Sequence, residues 1–170
     1  MQIGPRARIL IASQAPGRRA HHSGVPFADR TGDNLRRWLC LDRVTFYDPE
    51  VLAILPIGLC YPGRGPGGDL PPRPECARRW HARLRAAMPE VRLTLLLGRH
   101  AQAYHLGAGR KTTLTETVRA FRTYLPSHFP LPHPSPRNGP WLRRHPWFED
   151  EVLPALRAEV DRAFTASGRC

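Results

Sequence analysis

Apolar residues along this chain alternate between short continuous runs and stretches spaced three or four apart. Arg8 to Ser13 (RILIAS) is a continuous run with β-branched residues and predicts a buried strand. Val51 to Ile57 and Val91 to Leu97 repeat that pattern, and His128 to Leu131 is a shorter fourth strand. Between them the spacing turns helical. Trp80, Leu84 and Met88 stand four apart within Glu75 to Met88, and Pro89 stops that segment. Leu114, Val118 and Phe121 share one stripe of a helix over Thr112 to Tyr124, and His100 to Leu106 reads as a helix too. Two last helical segments follow, Trp141 to His145 and Phe148 to Phe164. Thr31 can cap a helix running through Leu39, because its hydroxyl accepts from an early helical N–H. A loop from Gln14 to Arg30, the Pro/Gly-rich Tyr61 to Pro74 and the Pro-rich His133 to Asn138 carry no apolar period.

Strands that alternate with helices predict an α/β fold, a three-layer α/β/α sandwich on a mainly parallel four-stranded sheet. The whole chain, 1–170, reads as one domain. In such sheets a ligand sits at the carboxyl ends of the strands. The Gln14 loop follows strand one, the Cys60 loop strand two and the His133 loop strand four, so three punctuated loops converge on one edge.

Charge changes the picture from any α/β protein to one with a polyanionic partner. The formal net charge is +12, and Lys111 is the single lysine. Arginine binds phosphate through two parallel N–H bonds and stacks on bases. A GC-rich genome also favours arginine over lysine, but it does not explain the excess of cations over Asp and Glu. No run approaches the roughly 18 apolar residues of a membrane span, and the N-terminus lacks the pattern of a secretory signal. These readings predict a cytoplasmic chain without a membrane partner, and we expect it to be a monomer. Cys40, Cys60, Cys76 and Cys170 fit no paired CxxC zinc pattern, so no metal site is predicted.

Two loops carry candidate chemistry. In Ser13-Gln-Ala-Pro-Gly17, Pro16 and Gly17 force a tight turn that can aim the N–H groups near Gln14 and Ala15 into the cleft. Ten residues on, Phe27 offers a flat face. Taken alone, this segment reads first as a core aromatic and a surface amide, with a binding role as the alternative. In Leu131-Pro-His-Pro-Ser-Pro-Arg-Asn138, prolines at 132, 134 and 136 hold His133 in one direction. His133 can donate to a developing oxyanion, and Arg137 and Asn138 can meet phosphate. The same segment reads equally as a Pro-rich connection with a surface histidine.

Together, over roughly Ile9 to Asn138, these segments resemble the uracil-DNA glycosylase superfamily. Ser13-Gln-Ala-Pro-Gly17 is similar to its first motif, with serine in place of the leading glycine. Gly24-Val-Pro-Phe27 is similar to the segment whose phenylalanine stacks on uracil, at the spacing of the iron–sulfur branch. Thr31-Gly-Asp-Asn-Leu35 continues that branch's helix start, Pro89 to Gly98 with Ala101 resembles its strand–helix unit, and His133-Pro-Ser-Pro136 resembles its last motif.

The resemblance implies a monofunctional glycosylase that hydrolyses the N-glycosidic bond of uracil in single- or double-stranded DNA. It implies His133 and Gln14 as catalytic residues. It implies Phe27, Ala15, Gly17 and Ser135 against the base, and Arg137 and Asn138 on the DNA strand. The departures from the pattern are equally specific. Cys60 and Cys76 match the second cysteine pair of the iron–sulfur branch, but the first pair is missing, so no cluster and no other cofactor is expected. Gln14 and Ala15 stand where the family places its water-activating acid. Pro56 stands where an asparagine reads the uracil edge. A histidine-bearing insertion found in a covalently trapping branch is also missing, and His21 and His22 lie in the shorter Arg18 to Ser23 loop. The missing asparagine leaves open another deaminated base such as hypoxanthine, and the missing acid leaves open a non-catalytic nucleic-acid-binding module.

Overall fold

The four apolar runs do form one sheet. In the computed structural model, which describes residues 1–165, the strands are β1 (Ile9–Ala12), β2 (Leu52–Ile54), β5 (Leu93–Leu97) and β6 (His128–Leu131), all parallel, in the order β2-β1-β5-β6. Cys170 lies outside the described residues. Ile9 pairs with Leu52 on one side and Leu93 on the other, and Leu97 pairs with Leu131 at the carboxyl edge. Every residue of β1, β2 and β5 is buried, which explains why these runs lack polar alternation.

Apolar clusters on both faces of the sheet make the three layers. Ile9, Ile11, Leu95 and Phe129 pack on one face against Leu35 and Trp38 of α2 (Arg30–Leu39), Phe46 of α3 (Arg43–Tyr47) and Leu156 and Val160 of α9 (Leu153–Thr165). Leu10, Ala12, Ala53 and Leu96 face the other way, toward Ala77, Met88 and Ala101. That second layer is built from α4 (Pro74–Cys76), α5 (Ala82–Ala86) and α6 (Gly98–Leu106). The remaining helices are α1 (Arg18–Ser23), α7 (Leu114–Arg119) and α8 (Gly139–Arg144). Among the described residues no helix is long and apolar enough to cross a membrane.

Several local expectations differ. Asp29, not Thr31, caps α2; its carboxylate accepts from the N–H of Thr31 and Gly32, so the helix starts two residues earlier than expected. A π turn, Ala77–His81, separates α4 from α5 and shifts the helical phase. Trp80 is therefore 40% exposed, while Ala77 and His81 take the buried face beside Met88. The predicted helix over Thr112 to Tyr124 ends at Arg119 and tightens into a 3-10 turn, Phe121–Tyr124. The last helix likewise begins with a π turn, Phe148–Val152. The Arg18 to Ser23 loop is helix α1, and the Tyr61 to Pro74 loop contains a two-stranded antiparallel hairpin, β3 (Arg64–Gly65) with β4 (Gly68–Asp69).

The second layer also holds a histidine group. The His105 ring lies 5.0 Å from Tyr104 and 6.0 Å from His128, and Tyr104 lies 5.3 Å from His81. Burial, aided by the neighbouring histidines and Arg85, pushes His105 down to about 4. Its Nε2 is buried and has no hydrogen-bond partner among the described residues.

Candidate active site

The site grows out of the carboxyl ends of the strands, as the loop pattern predicts. Beyond β1 and β2 the chain stays zipped together. The Ile57 N–H donates to the Ser13 carbonyl and the Gly58 N–H to the Gln14 carbonyl, each at 2.9 Å. This pairing fixes the Gln14 turn against the segment that carries Pro56. The amide N–H groups of Gln14 and Ala15 take no partner among the described residues. They stand beside a cavity of about 300 Å³ lined by Gln14, Ala15, Gly17, Phe27, Pro56, Asp69 and His133. That volume is at the low end of the roughly 300–1,000 Å³ usual for small-ligand pockets.

Phe27 is held in place by its backbone. Its φ of 55° lies in the left-handed region, which is uncommon for a bulky residue and costs free energy. Three contacts impose it. The Tyr47 hydroxyl lies 3.0 Å from both the Pro26 and the Phe27 carbonyls and shares its one proton between them. Gly32, in the first turn of α2, lets the Phe27 carbonyl come so close that a Cβ there would sit 1.8 Å from it. The ring meets Phe46 edge-on at 6.3 Å. Phe27 is thus half-buried, with one part packed on the core and the rest in the cavity.

The His133 loop is pinned as firmly. Pro132 and Pro134 are buried. The Asn34 amide, also from the first turns of α2, donates to the Pro134 carbonyl at 3.0 Å, and Gln102 of α6 donates to the Leu131 carbonyl at 3.0 Å. The imidazole of His133 is held below the usual histidine range by burial, against the opposing pull of the Asp29 and Asp69 carboxylates. At neutral pH it is therefore uncharged, with one N–H to donate.

Of the residues singled out in the sequence, the fold gathers Gln14, Ala15, Gly17, Phe27 and His133 around one cavity. Ser135 is placed differently: its hydroxyl accepts from the Arg137 N–H at 3.3 Å and caps the turn Pro136–Asn138. The Asn138 amide donates to the His133 carbonyl at 2.6 Å, and the residue borders an adjoining cleft. Gln14 donates its amide N–H to the Leu70 carbonyl at 2.7 Å, which ties it to the hairpin. Arg137 is exposed and lines an adjoining cleft with Arg99, His100 and Asp69. Arg18 and Arg19 stand at the mouth of the main cavity. None of these four arginines forms an ion pair among the described residues, and they outnumber the two carboxylates, Asp29 and Asp69, that border the same cavity and cleft. His21 and His22 are exposed on α1; the Tyr61 N–H donates to His21 Nδ1 at 3.4 Å.

Asp29, Asp69 and Tyr47 were not singled out in the sequence, and Gly32 and Asn34 entered only within the Thr31 to Leu35 motif, without a role. The cap position before Arg30 carried a signal for Asp29, since Asp is a strong N-cap residue. Tyr47 and Asn34 act on residues 20 and 100 positions away, for which a single chain gives no sign, and the close approach of Gly32 to Phe27 is set by the turn into α2. Among the described residues the thiols do not fit an iron–sulfur cluster. Cys60 and Cys76 provide two ligands of four, and no group of three or more His, Cys, Asp or Glu among the described residues is arranged to hold a metal.

A family model described as the uracil DNA glycosylase superfamily matches residues 1–157.

Proposed function

The chain belongs to the uracil DNA glycosylase superfamily, and we propose that among the bases such DNA glycosylases release, its substrate is uracil. The observation that carries this reading is the shared cavity: the fixed ring of Phe27, the free N–H groups at Gln14 and Ala15, and a neutral His133 all border a space of about 300 Å³. A glycosylase cannot reach the sugar–base bond inside the stack, so the nucleotide must flip out. The flipped uracil would stack on Phe27. As the C1′–N1 bond breaks, negative charge spreads onto the uracil oxygens. His133 and the two backbone N–H groups are fixed before that charge appears, so they favour the transition state over the ground state. Arg18, Arg19, Arg99 and Arg137 would bind phosphates around the flipped nucleotide without reading sequence.

A second reading rests on Pro56. It lines the cavity where an edge-reading amide is expected, and its carbonyl is already engaged with His81 Nε2 at 3.1 Å. With no side-chain amide there, another deaminated base such as hypoxanthine is the alternative. One experiment separates these and a binding-only module. The purified protein is incubated with oligonucleotides carrying uracil or hypoxanthine, and abasic sites are read by alkaline cleavage. Release of uracil is expected. Release of hypoxanthine alone, or binding without release, would refute the proposal.

A further inference from the structure

The first motif lacks its acid, yet the cavity does not. Asp69 lies on β4 of the hairpin that sits inside the Cys60 to Cys76 loop, and it borders both the main cavity and the adjoining cleft, as do Gln14 and His133. Two bonds fix it there. The Tyr61 hydroxyl donates to Asp69 Oδ1 at 3.1 Å, and the Gln14 amide holds the next residue through the Leu70 carbonyl. Asp69 is exposed, and its second carboxylate oxygen takes no hydrogen bond among the described residues. Asp29, the other carboxylate on the cavity wall, is tied to the backbone instead: its Oδ1 caps α2 through two N–H groups, while its Oδ2 likewise takes no hydrogen bond among the described residues, so a variant at each position tells the two apart.

We propose that Asp69 is the general base that activates the attacking water, and that Gln14 acts as a positioning residue that seats the Asp69 hairpin. This rests on the glycosylase reading above. In the step, the C1′–N1 bond breaks and its electron pair leaves with uracil. The water oxygen bonds to C1′ and gives its proton to the Asp69 carboxylate, which passes it on to the departing base. Net, one water is consumed and Asp69 is restored. The acid has moved from the β1 loop to the hairpin across the cleft, and the motif-one glutamine has become its anchor.

The charged and titratable groups around Asp69 are Arg64, opposite it in the hairpin register, Tyr61 at its Oδ1, Arg137 near Gly68, Arg99 and His100 in the adjoining cleft, and Arg18, Arg19, His133 and Asp29 around the main cavity. Asp69→Asn is the informative variant, because the amide oxygen still accepts from Tyr61 while the charge is gone. Single-turnover release of uracil is measured against pH, with thermal melts and duplex binding alongside. The expected result is a loss of roughly 10²-fold or more, disappearance of the acid limb of the rate profile, unchanged melting and undiminished binding; Asp69→Glu should recover part of the rate. Wild-type rate with an intact acid limb in Asp69→Asn overturns the proposal, as does an acid limb that vanishes in Asp29→Asn instead. If wild type releases hypoxanthine rather than uracil, the substrate reading fails and the same comparison decides Asp69 on that strand. If wild type releases no base, both fall.

Discussion

Gly32→Ala tests whether the strained Phe27 is part of the machinery or an accident of packing. In an ordinary helix this change stabilises by about 1 kcal/mol, because alanine is the better helix former. Here the new Cβ would stand 1.8 Å from the Phe27 carbonyl oxygen and 2.9 Å from the Phe27 Cβ. The carbonyl must retreat by more than 1 Å to reach an ordinary contact. It cannot do so without stretching the bonds from Tyr47 or releasing the left-handed φ of Phe27. Both outcomes swing the ring away from its present position. A misplacement of about 1 Å in a positioning group costs on the order of 10²-fold in rate, and the clash should outweigh the gain in helix propensity. The assay is single-turnover uracil release, with a thermal melt on the same preparation. The expected result is a lower melting temperature and a rate down roughly 10²-fold. An alanine variant that melts higher and excises at the wild-type rate would refute the argument, because Gly32 would then be an ordinary helical glycine.

Phe27→Ala should slow excision by an amount set by lost stacking, roughly 1–3 kcal/mol or about 5- to 150-fold, while melting shifts less than for a core phenylalanine, since the ring is half-buried; a collapsed melt with normal residual activity would favour a purely structural ring. His133→Ala should cost about 10²–10³-fold, as for a preorganised donor to a developing anion, and more than Gln14→Ala, whose bond to Leu70 acts at one remove from the chemistry; single-turnover rates in the opposite order would reject those roles. The histidine group makes stability pH-dependent. With His105 at about 4 when folded against the ordinary 6.5 unfolded, the unfolded chain takes the proton first, so stability is lost as pH falls from about 6.5 toward 4, by about 2 kcal/mol at pH 5. His105→Leu should flatten that dependence in melts at pH 7 and pH 5, and an identical slope in both proteins would show that His105 does not titrate as argued.

The sheet was legible in the sequence because each strand is buried on both faces and reads as an unbroken apolar run. The His128 to Leu131 strand matches to the residue. Helix detail was less so. Trp80, Leu84 and Met88 keep a four-residue spacing, but the π turn at Ala77–His81 adds a residue to the local turn, and spacing alone cannot reveal that insertion. The convergence of Gln14, Phe27 and His133 was readable from loop order and motif resemblance. Their supports were not. Tyr47, Asn34 and Gly32 act on residues 20, 100 and 5 positions away by close contact, and nothing periodic marks such partners. Asp69 sits in a Gly/Pro-rich stretch that reads as plain connection until its hairpin is seen folding back on the cavity.

The opening turns of α2 carry both the glycine that admits Phe27 and the asparagine that anchors the His133 loop. Two of the cavity walls therefore share a single rigid frame, and neither can be redrawn without disturbing the other. The hairpin of β3 and β4 belongs to a different segment, with two residues per strand, and is tied down by the Gln14 amide and the Tyr61 hydroxyl. Insertions or deletions there would widen or narrow the opening while sparing the core. Drift in the choice of base, in nature or by laboratory selection, should accordingly accumulate in residues 61–73 while the first turns of α2 stay as they are.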